Sequence, residues 1–365
     1  MKNYYENAIS FDRLYKGLKQ SCRNVRWKDS VIGYEANGLI NTLTLMDDLH
    51  NGTYKISKYQ IFHIHEPKER EIVATRIRDR QFQRSLCTSG LYDDICEHFI
   101  RDNAACQIGK GMDDALNRTK VHLWKFYRAH GKDGWILKCD IQHFFQETRH
   151  DVAKAAVQKY VSDPRAAKAV FNVIDSFDSG KGIGLGSQIS QLIQLLVLTD
   201  LDHFIKERLR VKHYIRYMDD FILIHENKEY LKYCLTEIEK QLLQIGLRLN
   251  RKTTIQPIRH GVWFLKWRFV LTDSGKVLML IDRNKVTKQK ARIRKLLRME
   301  ANGKLPPGTA QFSMECWIAN AKRGNARNAI AEITQFYKEV RSEMDGPKIS
   351  PEETDGICSG EFSID

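Results

Sequence analysis

The stretch that decides the fold of this chain is Tyr217-Met218-Asp219-Asp220. Residues 214–217 and 221–224 are predicted to form two short strands, which places the aspartates at the tip of a tight hairpin. Adjacent carboxylates repel each other, and bound cations relieve that repulsion. Taken alone, the pair suits an ordinary hairpin turn equally well, because Asp is a common turn residue.

A third carboxylate, Asp140, changes the chemistry that the pair can support. It ends the apolar run Trp135-Ile136-Leu137-Lys138-Cys139, which predicts a strand. Three carboxylates on neighbouring strands can hold two divalent cations, which stabilise the attacking and leaving oxygens of phosphoryl transfer. The order strand, helix, helix, hairpin predicts a βααβ half-sheet that brings them together. Taken alone, Asp140 could equally cap a following helix.

The composition favours a polyanionic partner. The 365 residues include 59 basic and 45 acidic ones, a net charge of +14, and the pI is about 9.3. Such a surplus is typical of nucleic-acid binding, although a generally basic surface gives the same count. The eight cysteines form no Cys-x-x-Cys pair, which favours reduced thiols in a cytoplasm. The apolar stretch 192–198 is too short to span a bilayer, and no signal peptide opens the chain, so no membrane partner is expected.

Periodicity predicts several further elements. Leu14, Leu18 and Cys22 share one face of a helix in the first fifty residues. Thr148-x-x-Asp151 predicts a capping box that opens a helix through Val161. The remaining predicted elements are a strand–turn–strand over 53–75, helices over 79–100, 189–209 and 231–245, one strand over 262–270, and helices over 283–298 and 310–342.

The motifs resemble those of reverse transcriptases. Tyr217-Met218-Asp219-Asp220 is similar to their active-site hairpin, and Lys138-Cys139-Asp140-Ile141-Gln142-His143-Phe144-Phe145 looks like their first catalytic motif. The resemblance implies an α+β right-hand polymerase with fingers, a palm whose antiparallel sheet is backed by helices, and a short helical thumb. It implies Asp140, Asp219 and Asp220 as catalytic residues. The implied metal ligands are these three and Ile141, with two Mg²⁺ ions as cofactor and Mn²⁺ as the alternative.

The resemblance also implies residues that bind the incoming nucleotide. Phe145 would be a steric gate that excludes the ribose 2′-OH, with Phe144 filling the core. Lys68 and Arg70, in a segment similar to the fingers of bacterial reverse transcriptases, would grip the triphosphate; solvated turn charges are the alternative. The two other residues assigned to the nucleotide site are Gln191 and Lys252.

Lys252 belongs to Gly246-Leu247-Arg248-Leu249-Asn250-x-Lys252-Thr253, which matches the next family motif. It would protonate or neutralise the leaving pyrophosphate, with a plain exposed lysine as the alternative. Gln191 closes Gly184-Leu185-Gly186-Ser187-Gln188-Ile189-Ser190-Gln191, which resembles the glycine motif before a helix under the templating base pair. Its glycines would let the backbone approach the incoming nucleotide. Most relatives have Pro-Gln-Gly and end in Ser-Pro here. The Ser190-Gln191 ending resembles that of diversity-generating retroelement enzymes, but this chain lacks the proline that is usual in their motif.

Six residues are predicted to contact nucleic acid. Trp263 lies in a segment that looks like the primer-grip hairpin, where core aromatics are the alternative. Half of the residues from Arg283 to Arg298 are Lys or Arg, which predicts a basic amphipathic thumb helix along the duplex backbone. A membrane-surface or calmodulin-like helix is the alternative. The predicted contacts are Gly186, Tyr217, Trp263, Lys288, Arg292 and Lys295.

These assignments predict five regions: a helical N-terminal extension (1–50), fingers (51–130), palm (131–275), basic helical thumb (276–345) and disordered acidic tail (346–365). The expected function is RNA-directed DNA synthesis from a dedicated RNA template in a bacterial or phage diversity-generating-type retroelement. Alternatives are a stand-alone antiphage defence enzyme acting with a noncoding RNA, a group II intron-like enzyme, and a non-catalytic RNA-binding scaffold. The expected partners are template RNA, DNA product, dNTPs, a dedicated RNA and, as a further candidate, an accessory protein.

Overall fold

The computed structural model describes residues 2–65, 69–177, 180–184 and 186–345. The chain divides into two compact units. Unit 1 comprises Met1–Leu265 and Leu271–Val277, and unit 2 comprises Lys266–Val270 and Leu278–Asp365. The predicted tail, 346–365, lies outside the described residues.

Helices make up most of unit 1. In chain order they are α1 (Tyr5–Ala8), α2 (Phe11–Ser21), α3 (Asp29–Ala36), α4 (Gly38–His50), α5 (Ile77–Leu86), α6 (Tyr92–Cys96), α7 (Met112–His130), α8 (Phe144–Glu147), α9 (His150–Tyr160), α10 (Pro164–Asp175), α11 (Gln188–Val197), α12 (Thr199–His203) and α13 (Lys228–Gln244). Single π-helical turns follow α5 at Cys87–Leu91 and α12 at Phe204–Arg208. The helical N-terminus is confirmed, whereas the helix predicted over 189–209 is interrupted at Leu198.

The N-terminal helices pack on α5 through the face that the sequence predicts. Leu14, Leu18 and Cys22 are fully buried. Gly17 allows the close approach of α2 to α5, because a Cβ atom there would lie 2.6 Å from the carbonyl oxygen of Gln81. One apolar core extends from these helices into the sheet and the helices behind it.

Six strands of unit 1 form two antiparallel groups. They are β1 (Gln60–Ile64), β2 (Arg70–Ala74), β3 (Trp135–Asp140), β4 (His213–Tyr217), β5 (Asp220–His225) and β6 (Thr254–Pro257); a further strand, β7 (Val262–Phe264), belongs to neither group. β1 and β2 form a hairpin, as predicted for the fingers segment. The larger sheet has the order β4-β5-β3-β6, and each neighbouring pair is antiparallel. It is the predicted antiparallel sheet, and its central strands β3 and β5 are mostly buried.

Helices cover the sheet. α7 packs on β4 and β5, and α13 packs on β3, β5 and β6. α9, α10 and α11 pack on one another. The predicted capping box is wrong: α9 starts at His150, and the hydroxyl of Thr148 donates instead to Phe144 O at 2.7 Å and Gln194 Oε1 at 2.9 Å. The tertiary partner Gln194 competes with the local cap, and the sequence pattern does not reveal it.

Unit 2 is a small helical unit with its own core. Its elements are β8 (Trp267–Leu271), β9 (Val277–Leu280), α14 (Arg283–Ala301), α15 (Thr309–Ala321) and α16 (Arg327–Asp345). Val286, Ile293 and Leu297 of α14 are buried against α15 and α16. The basic residues of α14 therefore occupy its outer face, as the amphipathic pattern predicts.

Two sequence predictions near this unit are wrong. The strand expected over 262–270 is two strands, because Leu265 and Lys266 have φ values of 48° and 69°, which end the extended backbone. The single helix expected over 310–342 is two helices with a break near Gly324. A Cβ atom at Gly324 would meet the Met279 carbonyl at 2.5 Å, which glycine avoids.

Across the described ranges, no helix combines the length and low charge that a bilayer-crossing segment requires. The cysteines that the structure describes are all free.

Candidate active site

The catalytic-motif hairpin has a two-residue turn. Tyr217 pairs with Asp220 in the β4–β5 ladder, so Met218 and Asp219 form the connection. Met218 has a φ of 56°, in the left-handed region that favours glycine. A non-glycine residue in this region persists only where its surroundings fix it, and such strain is concentrated at functional sites.

A buried ion pair fixes this turn from below. The guanidinium of Arg216 binds both carboxylate oxygens of Asp202, at 2.7 and 2.6 Å, and both side chains are fully buried. Its third nitrogen donates to the carbonyl oxygen of Met218 at 3.0 Å. The Tyr214 hydroxyl donates to Asp202 at 2.6 Å. The charge of Arg216 is therefore balanced inside the protein, and the strained residue is held through its backbone.

Backbone pairing brings the first catalytic motif to the turn. Asp140 lies directly opposite Asp220 across the β3–β5 ladder. The Ile141 amide donates to the Asp219 carbonyl at 3.2 Å, and the Asn250 amide donates to the Asp140 carbonyl at 2.7 Å. The three predicted aspartates thus lie next to one another, at the end of β3, in the β4–β5 turn and at the start of β5.

Burial and repulsion disfavour the charged forms of Asp219 and Asp220. Burial raises the pKa of Asp220 to about 6, with Asp140 and Asp219 adding to the rise and Lys138, 4.0 Å from its Oδ1, opposing it. The pKa of Asp219 is also raised, mainly by burial and then by Asp140, while the charge of Arg70 lowers it. Asp220 Oδ1 is buried without a hydrogen-bond partner.

The donor set of this site suits hard divalent cations. Carboxylate oxygens are the ligands that Mg²⁺ prefers, and an unpartnered oxygen beside two further carboxylates is a site that a cation would neutralise. Ile141 can contribute only its backbone carbonyl. Within the described ranges, no group of three or more His, Cys, Asp or Glu side chains is already arranged to hold a metal ion. Binding would therefore require the side chains to turn toward the ion.

The predicted gate residue borders a cavity of about 400 Å³. Phe145 is half-buried and lines it together with Val73, Phe177 and Gly184. Phe144 is 2% exposed and belongs to the core, as predicted. Of the two neighbouring rings, only that of Phe145 is available to a ligand in the cavity.

The glycine segment contacts the fingers hairpin. A Cβ atom at Gly186 would lie 2.6 Å from the Val73 carbonyl oxygen, and one at Gly184 would lie 2.8 Å from the Val73 side chain. The sequence predicts that these glycines admit a nucleotide. In the structure, the absence of side chains at Gly184 and Gly186 allows Val73 of β2 to pack closely against them. The nucleic-acid contact of Gly186 stays a prediction.

The other predicted residues occupy separate parts of the molecule. Arg70 is exposed at the start of β2, close enough for its charge to affect Asp219. Lys68 lies outside the described residues. Tyr217 is half-buried beside the turn, and the exposed remainder are Gln191 on the first turn of α11, Lys252, Trp263 on β7, and Lys288, Arg292 and Lys295 on α14.

Sequence reasoning missed the residues that support the turn. Arg216 lies in a strand, His213–Tyr217, that contains no acidic residue, which is a signal that its charge must find a partner elsewhere in the fold. The identity of that partner, Asp202, is not readable from spacing. Asn250 is also part of a sequence motif with no predicted role of its own, yet its backbone amide donates a hydrogen bond to the Asp140 carbonyl.

With this geometry established, comparison with known proteins gives the class. Residues 80–265 match the family model described as reverse transcriptase (RNA-dependent DNA polymerase). Because the match spans half of the chain, the chain belongs to the reverse transcriptase family, whose members are nucleotidyltransferases.

The chain is also similar to individual proteins and solved structures. The chain is similar to Protein YkfC of Escherichia coli strain K12, with 23% identity over 271 residues, which is 62% of this chain and 70% of the relative. It shares the right-hand polymerase fold with the Sicinivirus 3Dpol RNA-dependent RNA polymerase (TM-score 0.51, 14% identity, covering 82% of this chain and 66% of the other). A telomerase structure from Candida albicans aligns with a TM-score of 0.49 and 12% identity, over 82% of this chain. The chain spans 64% of that telomerase chain.

Replacing Asp202 by Asn should destabilise the protein strongly, because Arg216 would keep its buried charge without a counterion. The expected loss is about 3–5 kcal/mol of unfolding free energy, measured by chemical denaturation. The matched control is Asp200→Asn in the same helix, where an exposed pair with Lys159 is lost at an expected cost below about 1 kcal/mol. Equal losses for the two variants would contradict a structural role for the buried pair.

Replacing Asp220 by Asn should stabilise the metal-free protein at neutral pH. An unfolded Asp titrates near a pKa of about 3.9, whereas that of folded Asp220 is about 6. The folded state therefore binds the proton more tightly than the unfolded state does. Ionised Asp220 destabilises the folded state fully above pH 6, and this destabilisation disappears as the pH falls below about 4. In EDTA the variant should gain about 1–3 kcal/mol of unfolding free energy at pH 8 and almost none at pH 4.

The control for this titration is Asp273→Asn, at an exposed carboxylate whose pKa is lowered by Lys132. It should show no gain in unfolding free energy at pH 8. If the gain in unfolding free energy of Asp220→Asn increased toward low pH, the folded site would not favour the protonated carboxyl of Asp220.

Proposed function

We propose that this reverse transcriptase copies an RNA template into DNA, joining dNTPs by nucleotidyl transfer at Asp140, Asp219 and Asp220. The observation that carries the proposal is the cross-strand placement of Asp140 opposite Asp220, beside a turn that presents Asp219. A non-catalytic scaffold would have no need to keep three partly buried carboxylates next to one another at the ends of two central strands.

We propose two Mg²⁺ ions as the cofactor, with Mn²⁺ as the alternative. The carboxylates of Asp140, Asp219 and Asp220 and the carbonyl of Ile141 would hold them. Bound there, divalent cations supply stabilisation of charge on the attacking and leaving oxygens. The protein's part is to fix the donors, through the β3–β5 ladder and through the bond from Arg216 to the turn.

The proposed nucleotide site lies between the hairpin β1–β2 and the palm sheet. Arg70 acts near Asp219 and would bind phosphate as a fork, with Lys68 beside it in sequence. The ring of Phe145 borders the cavity where it would exclude a 2′-OH. Gln191 and Lys252 are proposed to contact the nucleotide, Lys252 on the side of the leaving pyrophosphate.

The proposed path of the nucleic acid uses the outer face of α14. Lys288, Arg292 and Lys295 are exposed on it, opposite the buried Ile293. Their charges would contact backbone phosphates without reading sequence. We assign this helix to a thumb over 276–345, with fingers at 51–130 and a palm at 131–275, and we propose that Gly186, Tyr217 and Trp263 contact template or primer.

The biological role is proposed from the glycine segment. Ser190-Gln191 favours a diversity-generating-type retroelement with a dedicated template RNA and an accessory protein, acting in a bacterial cytoplasm. Gly184-Leu185-Gly186 departs from that group and favours the alternative, antiphage defence with a noncoding RNA. The neighbouring genes decide between them, because an accessory helical protein with a repeat pair supports the first role, and a structured noncoding RNA alone supports the second.

Primer extension on an RNA template tests the proposed activity. Wild-type protein with its copurified RNA and Mg²⁺ should extend a primer with dNTPs. Asp219→Asn should reduce the rate by about 10²–10³-fold, as expected for losing a group that stabilises the transition state. Asp175→Asn, which removes an exposed carboxylate paired with Lys154, should leave the rate unchanged. An inactive wild type on every primed RNA, with Mg²⁺ and with Mn²⁺, would sink the proposal.

Replacing Phe145 by Ala should admit ribonucleotides, because the small side chain leaves space for the 2′-OH. The preference for dNTPs over rNTPs, measured as a ratio of kcat/KM values, should fall at least about tenfold. Phe177→Ala is the matched control, since it enlarges the same cavity at a position that is not the predicted gate. Unchanged discrimination in Phe145→Ala, or an equal fall in both variants, would refute the gate role.

A further inference from the structure

A second cavity of unit 1 lies between the N-terminal helices and α10. Its volume is about 280 Å³, and none of the catalytic aspartates lines it. This is slightly below the range of about 300–1,000 Å³ typical of small-molecule sites. The space suits one nucleotide-sized group rather than a larger cofactor.

Aromatic side chains form one wall of the cavity. Tyr5, Tyr54 and Phe82 line it. The ring centroids of Tyr54 and Phe82 are 5.1 Å apart, and those of Tyr5 and Phe82 are 6.4 Å apart, both in edge-to-face geometry. The Tyr54 hydroxyl donates to buried Asp79 at 2.8 Å, which fixes its ring. Phe82 is 3% exposed and supports the half-buried rings of Tyr5 and Tyr54, which can contact an unpaired base.

Polar side chains of α10 form the opposite wall. Arg165, Lys168 and Asn172 line the cavity, spaced along one face of the helix. The N-terminus of α10 is held by Asp163, whose carboxylate also accepts from the Tyr5 amide at 2.8 Å. The two walls are therefore connected by a partly buried hydrogen bond.

The charges at the cavity leave one cation for a ligand. Arg165 pairs with Glu6 and lies over the Tyr5 ring at 4.7 Å. Lys168 has no acidic partner within the described ranges. The carboxylate of Asp48 is bound by Arg78 at 2.5 Å. An anionic group would thus meet Lys168 without displacing an existing ion pair.

We propose that this cavity binds one nucleoside monophosphate unit, with the base against Tyr5 and Tyr54 and the phosphate at Lys168. Asn172 adds an amide that can donate to and accept from a base edge. The unit can come from single-stranded RNA held by the N-terminal helices or from a free mononucleotide. Binding here does not depend on the polymerase activity proposed above.

Two probes separate these sources. AMP binding is measured by calorimetry, and a ten-residue oligoadenylate is crosslinked by ultraviolet light, with the attached peptides identified by mass spectrometry. Lys168→Glu should weaken AMP binding at least tenfold, or reduce by the same factor the crosslinking of oligoadenylate to peptides containing Tyr5, Tyr54 or Phe82. Lys168→Arg should retain both signals.

The matched control is Lys16→Glu, the same charge change at an exposed lysine of α2 outside the cavity. Thermal unfolding checks that each variant folds. Loss of the oligoadenylate signal assigns the site to RNA, and loss of AMP binding alone assigns it to a free nucleotide. If Lys168→Glu affects neither signal more than Lys16→Glu does, the proposal is overturned.

Discussion

A guanidinium without access to water lies directly under the catalytic turn. Burying the charges of Arg216 and Asp202 is costly, and their attraction repays that cost only because the geometry is bidentate and the remaining donors find acceptors. Tyr214 and the Met218 carbonyl complete the set. The conformation of the turn therefore depends on α12, an element that contributes no catalytic side chain.

This support explains how the site can keep two unfavourable features at once. Met218 holds a backbone conformation that glycine would adopt more easily, and burial and repulsion raise the pKa of Asp219 and of Asp220. Natural proteins retain such local conflicts at functional sites and compensate elsewhere in the fold. Here the compensation is local: the ladder to β3 and the buried ion pair fix the backbone, so the side chains remain free to meet ligands.

Much of the fold could be predicted because its signals are local. The hairpin at Asp219 follows from apolar strands around a polar turn, and the buried face of α2 follows from its 3.6-residue period. Predictions failed where a distant partner decides. Thr148 forgoes a local cap for Gln194, and Arg216 is paired with a carboxylate on another helix.

The site residues show the same division. Asp140, Asp219 and Asp220 come together because register follows from antiparallel pairing of strongly apolar strands. The glycines at 184 and 186 were predicted from their size alone, and size does not tell whether a ligand or a strand approaches. The turn at Leu265-Lys266 contains no glycine or proline, so composition gives no warning of it.

The hydrogen bonds that anchor the N-terminus have a consequence for the order of folding. The Tyr5 amide reaches Asp163 across a sequence separation of 158 residues, and the Tyr4 hydroxyl reaches Asp94 across 90. During synthesis at the ribosome, the first helices must wait for these partners to emerge, and contacts of such long range slow folding. The N-terminal segment is thus among the last parts of unit 1 to pack in its final position. Its removal would expose the apolar core that it covers.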